Sequence, residues 1–295
     1  MRVLVSGASG TVGSALLPVL EDAGHQVVRL VRRPPSTNEI RWDPAIPLAP
    51  AAIEGFDGVV HLAGESIAGR WTAAKKARIR NSRVQGTSTL AVALAKTQQR
   101  PRVLVSASAV GYYGDRGDEV LTETSPSGSG FLAEVARGWE QATEPAAAAG
   151  IRVVVLRFGM ILSPTGGGLA QMLPPFRMGL GGRMGSGRQW WSWITIDDVV
   201  GAIQHALMTE TLRGTFNTVA PQPVKNAEFT RALGQVLSRP TIFAMPTFVV
   251  RLIFGEMGDE LLLASQRVDS SKLQSSGYRF HHAELKTGLA ELLQR

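Results

Sequence analysis

The 295-residue chain contains no cysteine. That excludes a disulfide framework, cysteine-ligated zinc and thiol catalysis, and it fits a reducing compartment. Long apolar runs are also missing. The best stretch, Ile151 to Leu162, is interrupted by Arg152 and Arg157, well short of the ~20 apolar residues of a membrane-spanning helix. Met1 leads directly into the strand-like Arg2-Val3-Leu4-Val5, so no signal peptide is expected and the cytoplasm is the expected location. The five histidines are scattered, and the one adjacent pair, His281-His282, lacks ligand spacing, so no metal site is expected. Acids are in deficit, 24 against 31 basic residues, for a formal charge of +7. Lysine is scarce, 6 against 25 arginines, which favours forked recognition of carboxylate or phosphate.

What is present reads as an ordinary globular chain: 44% hydrophobic and 19% charged residues exclude disordered, collagen-like and coiled-coil classes. The first 160 residues alternate apolar β-branched runs with helical patterns, the mark of βαβ units on a parallel sheet. Strands are expected at Val3-Leu4-Val5, 27–31, 58–62, 103–106 and 153–156. Helices are expected at 12–23, 73–96 and 132–148, with Gly24 and Gly150 as stops. The Gly- and Pro-rich stretch 163–187 reads as a functional loop or lid. Trp193 to Ile196 reads as a strand meeting Asp197 as a helix cap, followed by short helices and a strand near 216–219.

The turn after the first strand, Ser6-Gly7-Ala8-Ser9-Gly10-Thr11-Val12-Gly13, spaces three glycines by three. Such glycines allow a tight turn, close approach of backbone N–H groups to a diphosphate, and close seating of a helix whose N-terminus faces the anion. No Gly-Lys-Ser/Thr follows, so this is not a P-loop. An NAD-preferring site places an acid about twenty residues beyond the glycines. Here that place holds Arg32, nineteen after Gly13, and the next acid is Glu39. Arginine suits a 2′-phosphate, so NADP(H) is the expected cofactor.

These residues, with Val60-His61-Leu62-Ala63-Gly64, Arg70-Trp71, Asn81-Ser82-Arg83, Ser106 to Gly114, Gly185 to Gln189, Ile196-Asp197-Asp198 and Asn226-Ala227-Glu228-Phe229, resemble the extended short-chain dehydrogenase/reductase superfamily. The resemblance is closest to its atypical, epimerase-like branch, and it covers essentially the whole chain. It implies an α/β fold: a Rossmann-type doubly wound parallel sheet over 1–160, with 193–220 returning to it, and a smaller, mostly helical substrate or lid region of 161–192 and 221–295. It also implies NADP(H) held by Gly7, Ser9, Gly10, Thr11, Val12, Gly13, Val31, Arg32, Leu62, Ala63, Gly64, Arg83 and Ile161.

Three departures qualify the resemblance. The superfamily's Tyr and its Lys four residues on, which move the proton, are replaced by Phe131 and Val135 or by Leu132 and Ala136. Ser108 matches the catalytic Ser position, and Tyr112 and Tyr113 either supply a phenol from the next loop or pack as turn aromatics. Arg83 stands where related enzymes have Asn, on the helix face toward the cofactor. Trp191 stands where an Arg would bind a sugar-nucleotide diphosphate. This disfavours such substrates and leaves Trp190, Trp191 and Trp193 either as a flat binding wall, with Arg188 beside it, or as ordinary packing between domains. The resemblance therefore implies an NADP(H)-dependent oxidoreductase or epimerase-like enzyme acting on a small, unidentified substrate. A non-catalytic NADP(H)-binding regulator is the alternative, and a homodimer is one assembly open to it. Neither nucleic acid nor membrane is an expected partner. The charge excess falls in 70–83, which carries +6, and in 157–196, which carries +4, leaving −3 elsewhere. That pattern is expected to draw an anionic dinucleotide into the cleft rather than to bind nucleic acid.

Overall fold

The computed structural model describes residues 1–294. Its first half runs β1 (Arg2–Ser6), α1 (Thr11–Asp22), β2 (Gln26–Val31), β3 (Glu39–Arg41), β4 (Gly58–His61), α2 (Ala73–Ala95) and β5 (Val103–Ala109). A short β6 (Val120–Leu121), α3 (Phe131–Gln141), α4 (Glu144–Ala148) and β7 (Arg152–Phe158) follow. Then come β8 (Met160–Leu162), α5 (Gly167–Arg177), β9 (Trp190–Trp191), β10 (Trp193–Thr195), α6 (Ile196–Met208) and β11 (Gly214–Thr218). The last segment holds β12 (Val224–Lys225), α7 (Asn226–Leu237), α8 (Thr247–Phe254), a wide π-type turn at Gly258–Leu263, β13 (Arg267–Val268), α9 (Ser271–Ser275) and α10 (Leu285–Gln294).

Seven strands form one sheet in the order β11-β7-β5-β4-β1-β2-β3, every neighbouring pair parallel. A parallel sheet covered on both faces wants continuous apolar strands rather than alternating ones. Val3-Leu4-Val5 answers this directly: Val3 and Val5 enter the layer formed with α1 and α6, and Leu4 enters the opposite layer formed with α2. The strand order reverses beside β1, with β2 on one side and β4 on the other. A crevice opens there at the carboxyl ends of the strands, the position where ligands bind in open α/β sheets. A third apolar cluster joins α5, α7 and α10 around Trp193 and Phe229, apart from the sheet.

Several local expectations need correction. The helix expected over 132–148 breaks into α3 and α4, because Pro145 lacks an N–H and opens a new first turn. The stretch 163–187 is not all loop. It contains α5, whose Pro174 and Pro175 lie in the last turn and accept from Met178 N and Leu180 N. Asp197 is not the cap of α6: the Thr195 side chain takes that role, accepting from Asp198 N, and both acids sit in the first turn.

Asp198 does something the sequence did not suggest. It is fully buried, and its carboxylate accepts from Thr195 Oγ1 (2.9 Å), the Tyr278 hydroxyl (3.0 Å), His281 N (2.7 Å) and His282 N (3.0 Å). The Tyr278 phenol is pushed well above its usual range, first by burial and then by the Asp198 charge. One carboxylate thus pins residues 278–282 onto α6. Asp198→Ala strands these donors without an acceptor, and urea unfolding is expected to show a loss of about 3–5 kcal/mol.

Candidate functional site

The glycine turn occupies the crevice between β1 and β4. Gly7 has φ +71°, and a Cβ there would sit 2.6 Å from the Leu62 carbonyl carbon and 2.8 Å from Ala63 N. A Cβ on Gly13 would lie 2.3 Å from Gly7 O. Both glycines are therefore demanded by backbone against backbone. Gly10 is different: its Cβ would meet only Gly7 O at 3.3 Å, and Ser9 and Gly10 face outward. α1 opens after Gly10, its N-cap, with no side-chain cap and no acid in its first turn. Its first N–H groups are left for an external anion, so the turn fits a dinucleotide diphosphate.

Val31 ends β2, and Arg32 beyond it is exposed with no side-chain partner. The next acid, Glu39, is already engaged. Ser36 N and Oγ donate to it, as does Arg33 Nη2 at 2.6 Å, and these bonds, with those from Ser36 leading, hold its carboxyl at about 2. The crevice therefore offers a free guanidinium and no free carboxylate next to it. Opposite, Leu62, Ala63 and Gly64 run along the turn. Arg83 leans on Gly64, donates to Glu65 O (2.9 Å) and lies over the Trp139 ring. Burial lowers the Arg83 pKa to about 10, against the pull of Glu65, so it remains charged at neutral pH. Thr11 supports the loop before α5 at Gly166, where a Cβ would strike Thr11 Oγ1, and Ile161 packs beside Val12.

Beneath the turn, His61 bridges Ser6 Oγ (2.7 Å) and Thr87 Oγ1 (2.9 Å). Complete burial lowers its pKa to about 4.

The expected catalytic groups are placed unevenly. Ser108 is buried and donates to Glu140 Oε1 at 2.7 Å. Glu140 forms a two-pronged pair with Arg157, Nε to Oε1 and Nη2 to Oε2, both 2.7 Å. Burial opposes the charge on Arg157, but Glu140 outweighs it and raises the guanidinium pKa. Arg157 Nη1 also donates to the Tyr113 hydroxyl, which itself donates to Asn217 Oδ1 (2.6 Å) and Thr122 O (2.9 Å). Tyr113 has no exposed surface, and burial raises its phenol pKa. Ser108 and Tyr113, two of the three catalytic candidates, are thus members of a buried hydrogen-bond network. Tyr112 differs: it is half-buried, its ring lies 3.5 Å from the Arg157 guanidinium carbon, and its hydroxyl makes no bond within the protein.

Beyond this network lies a cavity of about 390 Å³ between the Rossmann-like half and the C-terminal segment. Gly111, Gly114 and Leu132 line one side, and Ser186, Gln189, Arg251 and Glu260 line the other. Glu260 accepts from Phe131 N and Leu132 N, both at 2.7 Å, and so caps α3 from the far side of the cleft. Gly130 (φ +102°) has no room for a Cβ beside that carboxylate. Neither Glu260 nor Glu140 carried a signal in the sequence; Arg157, a charge inside an apolar strand run, did.

The tryptophan wall is not formed. Trp191 is buried against Phe229, Trp193 is fully buried with Nε1 donating to Gln222 O, and Trp190 lies between Lys225 and Arg267. Trp191 therefore packs the interior instead of meeting a substrate, whereas Arg188, next to the cleft-lining Gln189, is exposed with a free guanidinium. The basic segment 70–83 is also largely neutralised. Lys75 and Arg78 pair with Glu65, Lys76 with Glu256, and Arg80 with Glu134. Among the described residues no group of acids and histidines could hold a metal ion, and no helix is long and apolar enough to cross a membrane.

Comparison with known proteins gives consistent matches. The model of the NAD dependent epimerase/dehydratase family matches residues 3–217, and that of a domain of unknown function, DUF1731, matches 245–292. The chain is 46% identical to the epimerase family protein Mb2239 of Mycobacterium bovis over 283 residues, 95% of this chain and 93% of that one. It is 39% identical to the epimerase family protein SDR39U1 of Bos taurus, covering 99% of this chain and all of the other. The crystal structure of human SDR39U1 with NADPH superposes with a TM-score of 0.93 at 36% identity, over 100% of this chain and 99% of that one. A nucleoside-diphosphate sugar epimerase from Corynebacterium glutamicum gives 0.81 at 39% identity, covering 99% of this chain and 58% of the longer one.

His61 supplies a pH test of this region. Its folded pKa lies below the unfolded value, so the neutral form is stabilised in the fold; the contribution is complete above pH 6.5 and is lost as pH falls towards 4. Stability is expected to drop on the order of 3 kcal/mol across that window from this group. Comparison of unfolding curves for wild type and His61→Gln between pH 7 and pH 4, expected to show a shallower slope in the variant, checks it.

Proposed function

The chain belongs to the NAD dependent epimerase/dehydratase family, and from that premise we propose that it is an NADP(H)-dependent oxidoreductase or epimerase-like enzyme acting on a small molecule in the cleft. The observation that carries the cofactor reading is Arg32, unpartnered at the end of β2 while the nearest acid is tied to Arg33 and Ser36. The NADPH-bound human relative supports it. Gly7, Ser9, Gly10, Thr11, Val12 and Gly13 would hold the diphosphate, and Arg32 the 2′-phosphate. Val31, Leu62, Ala63, Gly64 and Ile161 would flank the nucleotide, and Arg83 would add positive charge from α2. When bound, the cofactor supplies hydride chemistry.

The protein's own part is to orient the cofactor, exclude water and move a proton. Leu132 and Gly111 give the cleft a partly apolar wall. With Ser108 and Tyr113 held in the buried network, Tyr112 is the remaining candidate to carry the proton, and Arg188 the candidate to meet a polar group of the substrate. The second reading, a regulator that binds NADP(H) without turnover, is favoured by one observation: Phe131, Val135, Leu132 and Ala136 leave the usual pair positions on α3 without a titratable group.

Two measurements test these readings. Calorimetric titration is expected to show Arg32→Ala weakening NADPH roughly 10–100-fold, the worth of a lost charge-assisted bond, with NADH little changed; equal losses would remove the specificity argument. A screen of NADPH oxidation against aldehydes, ketones, quinones and enones is expected to yield a substrate whose turnover falls roughly 100-fold or more in Tyr112→Phe with NADPH affinity intact. Absence of turnover with intact binding selects the regulator.

A further inference from the structure

Seven of the eleven large apolar side chains that stand exposed among the described residues fall in two segments. Met178 and Leu180 follow α5; Ile242, Phe243, Phe248, Leu252 and Ile253 lie before and on α8, with Ile242 79% and Leu252 71% exposed. The two segments run side by side. Met245 N donates to Arg183 O, Gly185 N donates to Met245 O, and a Cβ on Gly182 would overlap the Phe243 carbonyl. Phe248 and Leu252 are four apart on α8 and so share a face, while Val250 turns into the protein.

Three arginines without acidic partners border this face on its α5 side. Arg177 makes no side-chain bond, Arg183 donates to the carbonyls of Gly185 and Ser186, and Arg239 donates to those of Arg177 and Ser238. None of the three has a carboxylate partner, in contrast to the basic residues of 70–83. The ion pairs beside α8 lie elsewhere: Arg251 with Asp259 at the cleft side, and Lys76 with Glu256 beyond its C-terminus. Apolar side chains bordered by unpaired arginines match an acyl layer beneath anionic headgroups.

We propose that this face docks on an anionic lipid bilayer, Phe248, Leu252 and their neighbours entering the boundary between headgroup and acyl chain while Arg177, Arg183 and Arg239 meet lipid phosphates. A second copy of the chain is the poorer occupant, because a two-fold contact would set the same unpaired arginines against each other. The expectation of no membrane partner rested on the lack of a spanning segment, which does not bear on surface attachment.

Flotation of the full-length protein with vesicles tests the proposal, without any need for cofactor or substrate. Binding is expected to be roughly a hundred-fold tighter to phosphatidylcholine–phosphatidylglycerol vesicles than to phosphatidylcholine alone, and to fall with added salt. The double variant Phe248→Ser, Leu252→Ser is expected to lose binding with an unchanged melting temperature, since both side chains are exposed. Arg177→Gln with Arg239→Gln is expected to lose the preference for anionic vesicles. Failure to float with either vesicle, or flotation unchanged in the Ser double variant, overturns the proposal. So does a concentration-dependent dimer, read by light scattering, that the Ser variant dissolves; that result assigns the face to a second copy.

Discussion

The carboxyl end of the sheet is organised around one buried charge, the guanidinium of Arg157. A charged strand residue under a covered sheet costs several kcal/mol unless every part of it is met. Glu140 meets two edges, the Tyr113 hydroxyl a third, and the Tyr112 ring the face. That arrangement links α3, β5, β7 and, through Asn217, β11. Its net worth against an apolar replacement is small, but no member can be withdrawn cheaply. The hydroxyls of Ser108 and Tyr113 are both bonded within this network.

The nucleotide crevice is built on the opposite logic. Gly7 and Gly13 are required because main chain touches main chain, and those contacts leave Gly10 and the start of α1 open. Selectivity then falls to groups just outside the turn. Glu39, the next acid in the chain, is held at the edge of the sheet by Arg33 and Ser36. Arg32, seven residues before it, has no carboxylate to neutralise it.

The sheet, the glycine turn and the cofactor class were legible because each leaves a short-range trace. Buried parallel strands read as uninterrupted Val and Leu runs, and a three-residue glycine spacing at a strand end has few other uses. The same reasoning left the tryptophans open between a shared wall and packing; β9 and β10 pair with different strands and send Trp190, Trp191 and Trp193 into three environments. The role of Asp198 was hidden because its partners in 278–282 lie some eighty residues away. Glu140, Glu260 and the pairing of the 70–83 segment were hidden for the same reason, since an isolated Glu or Lys carries no mark of which distant charge will face it. Pattern reveals what neighbours along the chain do together; it is silent on contacts made only after the chain has closed on itself.

Two regions of the chain match separate family models, and the contacts made by Glu260 join them. Its carboxylate completes the first turn of α3, a helix of the N-terminal half, and Gly130 is the residue that admits it. The segment carrying Glu260 therefore supplies a cap that α3 lacks from its own half. A gene split between the two matched regions would yield one fragment with an open helix end and another with a carboxylate lacking its donors, and an exchange of C-terminal segments between relatives would have to carry this acid and its glycine together.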